Sequence, residues 1–334
     1  MNVENRDSRI ILRETPKYFF QYPVITEEHC ISMQTREDEI FIHMPWATII
    51  DRHIASESGY SELRQAIAKA KERYPDKVLA TAVQHISFMQ LMPLLTKLGV
   101  ERVYAAHKRR RQCSVLKLTN KVIQHTIRLF GMPLYPVNVW DKQRSTGITE
   151  IPYEKRKYMF SFVGAAKRND LNPIRFKLLS KQWSNNKSLS SKYLLSNTTD
   201  WHFGKIVYGQ QVKGNPLSAA ERTKVQRQTE KYNRVLCDTK FSLCPVGSGP
   251  NTIRLWESIC VGAVPIIIAN EFHMQDYLPK HIKASDICVE LPYNHKALQN
   301  ATNLYQYLKT IDGEKMSSKC FEFAHQLKEN GWFI

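Results

Sequence analysis

Between Lys240 and Ala269 the chain reads as a short apolar strand, a glycine-bearing turn, one helix and a second apolar strand. That is the compact βαβ unit from which parallel sheets are built. The turn holds Gly247, Ser248, Gly249 and Asn251, so its backbone can lie close against a ligand. The helix that follows points unsatisfied N–H groups and the positive end of its dipole at the same place, where an anion such as a diphosphate would be held. Arg254 falls in the first helical turn, and Glu257, three residues on, shares its face one turn deeper. A cation for phosphate beside a carboxylate for ribose hydroxyls is what a nucleotide-sugar site needs. An ion pair between helix neighbours, with the glycines serving only the turn, accounts for the same residues. The G-x-G-x-x-G spacing of dinucleotide sites is absent, as is the Lys-Ser/Thr pair of a phosphate loop, which argues against an ordinary ATPase or GTPase.

The elements around this unit follow one rhythm. Glu39–His43 reads as a strand ending in a Pro45-Trp46 turn, and Ser61–Tyr74 as a helix with Ser61 as its N-cap. Lys77–Val83 and Arg102–Ala106 are further strands, separated by a helix from Phe88 to Leu98 that stops at Gly99. Strand, helix, strand in alternation predicts a parallel, helix-covered sheet. Pro136, Gly147, Pro152 and many charges around Asn138 to Lys157 mark an interdomain linker. Beyond it come a strand at Tyr158–Val163, a helix from Pro173 to Ser180 carrying Arg175, and an aperiodic stretch from Ser184 to Pro216. A charged helix (Ser218–Leu236) leads into the Lys240–Ala269 unit, and a last helix runs from Ser317 to Asn330. The expected domains are residues 1–150, 151–315 and a terminal helix at 316–334.

The text Phe241-Ser-Leu-Cys-Pro-Val-Gly-Ser-Gly-Pro-Asn-Thr-Ile-Arg254, then Leu255-Trp-Glu-Ser258 and Gly262-Ala-Val-Pro-Ile-Ile267, resembles the exostosin-like glycosyltransferases (family 47-like, short bacterial type). Weaker similarity runs through Phe160–Ala165, Arg175, Pro45–Thr48 with Asp51, Gln84-His85 and Gly99 to His107. The resemblance implies an α/β protein of GT-B architecture, two Rossmann-like domains facing a cleft, with acceptor on the first, donor on the second and the terminal helix packing back toward the first. It implies a nucleotide-diphosphate sugar as donor, a glycan or lipid-linked glycan as acceptor, inversion at the transferred carbon, and no tightly bound cofactor or metal.

Inverting transfer requires a base for the acceptor hydroxyl, positive charge for the departing diphosphate, and in-line geometry. Arg254, the Gly247–Asn251 amides, Arg175 and Lys167 are candidates for the leaving group, although Arg175 and Lys167 read equally as solvated charges. Candidate bases lie at strand ends of the first domain: Asp51, with His85 and His107 as alternatives. Each also has a structural reading, Asp51 as a turn cap beside Arg52 and His85 as a hydrogen-bonded core histidine. The cationic run after His107 is expected to hold that imidazole neutral. Asn270 and Glu271 follow the second strand of the βαβ unit, at its ligand-binding end, and Glu271 joins the donor-site candidates.

Composition limits the alternatives. A chain of 334 residues has room for two cores. Lys plus Arg is 48 against 31 acidic residues, a formal charge of +17, and that surplus asks for an anionic partner. Its densest run, Lys108–Arg111, is either a solvated loop face or a contact for an anionic membrane surface, where each cation adds roughly 1 kcal/mol. A basic nucleic-acid-binding protein is the rival reading, but the cations are spread out and no binding module is recognisable, so nucleic acid is not the expected partner. A glycan-binding scaffold without catalysis is a third reading. No pair of carboxylates stands out as the couple of a glycoside hydrolase. The start of the chain lacks an apolar signal core, no segment reaches membrane-helix length, and seven scattered cysteines include no Cys-x-x-Cys. A reduced cytoplasmic protein is expected, peripheral at the inner face of the membrane, with Cys244 a small core residue.

Overall fold

The computed structural model describes residues 2–6, 9–13, 19–30, 36–52, 60–112, 115–119, 124–166, 170–198 and 200–330. The chain forms two compact units. One comprises Met1–Pro133, Gln211–Gly214 and Asn330–Ile334, and the other Leu134–Gln210 and Asn215–Glu329.

In the first unit the described strands are β1 (Asn2–Arg6), β2 (Arg9–Arg13), β3 (Glu39–His43), β4 (Val78–Val83), β5 (Arg102–Ala105), β6 (Val115–Thr119) and β7 (Gln124–Gly131). They lie in the order β1-β2-β3-β4-β5-β7-β6. The middle pairings β2·β3, β3·β4, β4·β5 and β5·β7 are parallel, while each edge is closed by an antiparallel neighbour. Strands covered on both faces read as near-continuous apolar runs, and every residue of β3 is buried. Ile40, Ile42, Leu79 and Val103 share one core with Leu63 and Ile67 of the Ser61–Arg73 helix. That helix starts at Ser61, with Tyr60 rather than Ser61 in the capping position. The Phe88–Leu98 helix begins as a tight 3₁₀ turn, Phe88–Leu91, before the α-helix Met92–Lys97. After β3 the chain turns at Pro45 into a short helix, Trp46–Asp51, pinned where the Trp46 indole N–H donates to Thr81 Oγ1 at 2.7 Å.

The second unit carries β8 (Tyr158–Gly164), β9 (Tyr193–Asn197), β10 (Thr239–Pro245), β11 (Val264–Ile268) and β12 (Val289–Leu291) in the order β12-β11-β10-β8-β9. All of its pairings are parallel. Two sheets dominated by parallel strands, interleaved in sequence with helices, make this an α/β protein with two Rossmann-like units. The βαβ unit read from the sequence is β10, the Ile253–Cys260 helix and β11. Ser218 caps the preceding Ala219–Cys237 helix in a reciprocal capping box with Glu221.

The stretch expected to be a linker lies inside the second unit. Buried Asn233 donates from Nδ2 to the carbonyls of Asn138, Arg144 and Thr146 at 3.2, 2.8 and 2.9 Å. Those bonds satisfy main-chain groups that an irregular segment would otherwise leave unpaired. The region from Ser184 to Pro216 contains β9 and a wide, π-wound helical stretch, Phe203–Val212. The final helix, Gly313–Asn330, rests on the second unit through Ser317 Oγ to the Gly262 carbonyl (2.7 Å) and Cys320 Sγ to the Ile287 carbonyl (3.2 Å). Cys244 is buried, and burial pushes its thiol up to about 11, as a core cysteine requires. Among the described residues no helix is long and apolar enough to cross a membrane.

Candidate functional site

In the second sheet the strand order reverses between β8 and β10: β9 lies on one side of β8, whereas β10, β11 and β12 continue on the other. Open α/β sheets bind ligands outside the carboxyl ends of the strands at such a switch point. Here β8 ends at Gly164 and continues into Ala165-Ala166, while β10 ends at Pro245 and continues into Val246-Gly247. Two arginines occupy this position. Arg175, from the Ile174–Leu179 helix, donates from Nε to the Val246 carbonyl (2.8 Å), from Nη1 to Ala165 (3.1 Å) and from Nη2 to Pro245 (3.1 Å). Arg254, in the first turn of the Ile253–Cys260 helix, donates from Nη2 to the Val163 carbonyl. Both guanidiniums face the ring of Phe162 on β8, Arg254 with Cζ 4.5 Å from its centroid and Arg175 with Cζ 5.8 Å.

These cations are held by main-chain carbonyls, which orient a guanidinium without neutralising it. Asp170 comes no closer than an Oδ2 at 3.9 Å from Arg175 Nε. Burial, followed by repulsion from Arg254, pulls Arg175 down to about 10. Two like charges kept together in a partly dry position favour an anion.

The glycines at the two strand ends make room for these side chains. A Cβ on Gly247 would meet Arg175 Nη2 at 2.7 Å, and one on Gly164 would meet Arg254 Nη2 at 2.9 Å. The sequence suggests that Gly247 lets a ligand approach the backbone; the structure fills that space with the Arg175 guanidinium. Gly247→Ala is therefore expected to displace Arg175 and to weaken binding of inorganic pyrophosphate by about tenfold or more, read by titration calorimetry.

The rest of the turn is more locally engaged than its sequence suggests. Asn251 Oδ1 accepts from the Thr252 N–H (2.8 Å) and the Trp256 indole N–H (2.9 Å), which shapes the entry to the helix. Thr252, in the capping position, makes no side-chain capping bond to the first-turn amides. Ser248 is exposed and Gly249 buried. Glu257 shares the Arg254 face as expected but is 1% exposed. Its Oε1 accepts from the Asn138 N–H at 3.1 Å and its Oε2 from the Tyr232 hydroxyl at 2.7 Å. The Tyr232 ring in turn lies 5.8 Å from Arg254 Cζ. Glu257 thus sits beneath the helix, bracing the ring next to the arginine, and burial raises its carboxyl. Glu271, past the end of β11, hydrogen-bonds the Tyr293 hydroxyl, and Asn270 Oδ1 accepts the Tyr293 N–H at 3.2 Å. Lys167 lies outside the described residues.

In the first unit the sequence candidates gather at the carboxyl ends of β3, β4 and β5. Asp51 Oδ1 and His85 Nε2 are 3.1 Å apart, both side chains partly exposed at 20% and 16%. The Ser87 main-chain N–H donates to His85 Nδ1 at 3.0 Å. An amide N–H can only donate, so Nδ1 is an acceptor and the ring hydrogen sits on Nε2, directed at Asp51. Gln21 Nε2 donates to Asp51 Oδ2 at 2.6 Å. His107, after β5, is buried, with an Nδ1 that has no hydrogen-bond partner among the described residues. Its imidazole is held neutral, pushed down to about 3, by burial first and His85 second. The direction is the expected one but the cause differs: Arg109, Arg110 and Arg111 point into solvent, while Lys108 is buried.

Glu27 has no motif to announce it. It is buried and accepts the N–H groups of Ala47 (3.1 Å to Oε2) and Gln84 (2.9 Å to Oε1). Gln84 Oε1 accepts the Glu27 N–H in return at 2.9 Å, so one reciprocal clamp ties the turns after β3 and β4 and sets His85. Burial pushes this carboxyl up to about 8 from an ordinary 4.5, against the pull of its two backbone donors. The folded chain then holds this proton more tightly than the unfolded chain, so the stabilisation is complete below about 4.5 and is lost as pH rises toward 8. Glu27→Gln is expected to remove that slope, on the order of 3 kcal/mol between pH 5 and pH 8.5, in urea unfolding curves.

The Exostosin GT47 domain model matches residues 100–285, more than half of the chain. No curated protein matches it. Among solved structures, the trehalose-6-phosphate phosphatase N-terminal domain of Candida albicans gives a TM-score of 0.41 at 10% identity, over 90% of this chain and 70% of that one. The GtfA/B complex gives 0.39 at 12%, over 97% and 61%. The pneumococcal O-GlcNAc transferase GtfA, in complex with UDP and GlcNAc, gives 0.37 at 11%, over 90% and 56%. The last two are matched over less than two thirds of their own length, and likeness at this level carries no argument about activity.

Proposed function

The chain belongs to the exostosin GT47 family, and from that premise we propose that it moves a sugar from a nucleotide-diphosphate donor to a glycan acceptor with inversion. The observation that carries this reading is the Arg175–Arg254 pair at the β8/β10 switch point, two cations oriented by main-chain carbonyls, with Asp170 Oδ2 3.9 Å from Arg175 Nε. In the reaction the acceptor oxygen bonds the anomeric carbon as the bond from that carbon to the diphosphate oxygen breaks. The acceptor proton passes to Asp51, and the negative charge collects on the departing diphosphate. Arg254, Arg175 and the first-turn amides of the Ile253–Cys260 helix receive that charge. In this reading they supply the neutralisation without a tightly bound metal.

Asp51 is the base of this scheme and His85 its orienting donor, since the Nε2 hydrogen of His85 is committed to the carboxylate and Nδ1 to the Ser87 amide. His107, neutral and buried, lines the same strand ends. Glu257 contributes through Tyr232 and Arg254, and Glu271 with Tyr293 borders the sugar or nucleotide. A setting in cell-surface polysaccharide synthesis, on a glycan or lipid-linked glycan at the inner membrane face, is supported by the charge of +17 and by exposed Arg109–Arg111. The test is nucleoside diphosphate release from UDP- and GDP-sugars, with and without glycan acceptors. Release that depends on the added sugar donor and rises with acceptor is expected. No release above the spontaneous rate with any of them would discard the reading.

A further inference from the structure

The carboxylate of Asp51 is gripped from both sides, and the sense of each bond can be assigned. A carboxylate only accepts, so Gln21 presents its amide NH₂ to Oδ2 at 2.6 Å, and its own Oε1 is turned the other way. There Gln211 Nε2 donates to it at 3.2 Å. On the opposite oxygen the His85 Nε2 hydrogen completes the grip, with Nδ1 tied to the Ser87 amide. Gln21 is buried, 2% exposed, between these partners. Gln211 belongs to the first unit through the Gln211–Gly214 stretch, which the Arg52 guanidinium also holds by donating from Nη2 to the Lys213 carbonyl at 3.2 Å.

We propose that Gln21 is a positioning residue for Asp51, itself oriented by Gln211, and that this pair of amides fixes the direction and the ionised state of the carboxylate. Its consequence for sugar transfer rests on the reading of Asp51 as the base. The geometry stands without that reading. Among the described residues, the titratable and charged groups near the carboxylate include His85 on Oδ1, Glu27, whose proton Asp51 helps to retain, and His107 beyond His85. Arg52, next in the chain, turns to Lys213 and to the ring of Phe19, 4.8 Å from its centroid. Neither glutamine carries charge, so exchanging one changes hydrogen bonding to the carboxylate and leaves the charge count intact. A hydrogen bond donated to the charged form favours that form, and its loss makes the carboxyl harder to ionise.

The experiment follows the aspartate carboxyl carbons of the full-length, ¹³C-labelled protein by NMR as a function of pH, with the Asp51 signal assigned by its disappearance in Asp51→Asn. Gln21→Met, which preserves side-chain volume, is expected to move the Asp51 midpoint upward by about 1 pH unit. Gln211→Met is expected to move it in the same direction by less. An unmoved midpoint in Gln21→Met overturns the proposal, because a purely structural glutamine would change the unfolding temperature and leave the titration alone. Should Gln21→Met not fold, Gln211→Met decides on the same criterion. The base assignment fails separately: Asp51→Asn with undiminished nucleoside diphosphate release would end it while leaving the titration shift in place.

Discussion

Arg254→Ala is expected to lower sugar transfer by about 10² to 10³-fold, the loss that follows when one oriented donor to a developing anion is removed. The guanidinium is held against Phe162 and the Val163 carbonyl, so in the proposed transfer little reorganisation would be needed as a diphosphate departs. Arg254→Lys keeps the charge but not the planar fork, and an ammonium cannot bond Val163 and stack on Phe162 in the same way. It is expected to recover less than a tenth of the lost rate. The comparison to make is nucleoside diphosphate release for wild type, Arg254→Ala and Arg254→Lys, with the unfolding temperature as a control for folding. A wild-type rate in Arg254→Ala would remove this residue from the leaving-group site.

Asp51→Asn is the second large effect, a fall in kcat of about 10³-fold with pyrophosphate affinity unchanged. The substitution keeps the shape of the side chain. Gln21 and Gln211 can both rotate their amides, so that Gln21 presents Oε1 to the new NH₂ and its own NH₂ to Gln211 Oε1, while His85 still donates to the remaining oxygen and the local network survives. What is lost is the capacity to take a proton. Because Arg175 and Arg254 belong to the other unit, titration with inorganic pyrophosphate separates the two contributions. A variant that loses pyrophosphate binding along with turnover would point to a damaged fold and away from a missing base.

The sequence was most legible where the signal is local. β3 runs from Glu39 to His43 as its apolar run indicates, and the charged helix read over Ser218–Leu236 is the Ala219–Cys237 helix. The unit from β10 to β11 is readable because a strand, a turn and a helix follow one another without interruption. Legibility fails where a side chain completes a distant segment. Gln21 and Glu27 carry no motif, yet each meets its partner after the sheet has brought together residues 30 and 57 positions apart. Asn233 looks like one polar residue in a charged helix, but its amide turns the stretch from Asn138 to Thr146 into part of the second unit. Glu257 shows both sides: helical spacing places it on the Arg254 face, while only the packing shows that its oxygens serve Asn138 and Tyr232. Gln84, inside the Gln84-His85 segment of the family resemblance, was the available pointer to the Glu27 clamp.

The most direct measurement is a crystal structure of the full-length protein with UDP. The predicted result places its phosphates against the Arg175 and Arg254 guanidiniums, outside the carboxyl ends of β8 and β10. Phosphates bound away from both arginines, with those side chains still bonded only to their carbonyls, would contradict the account.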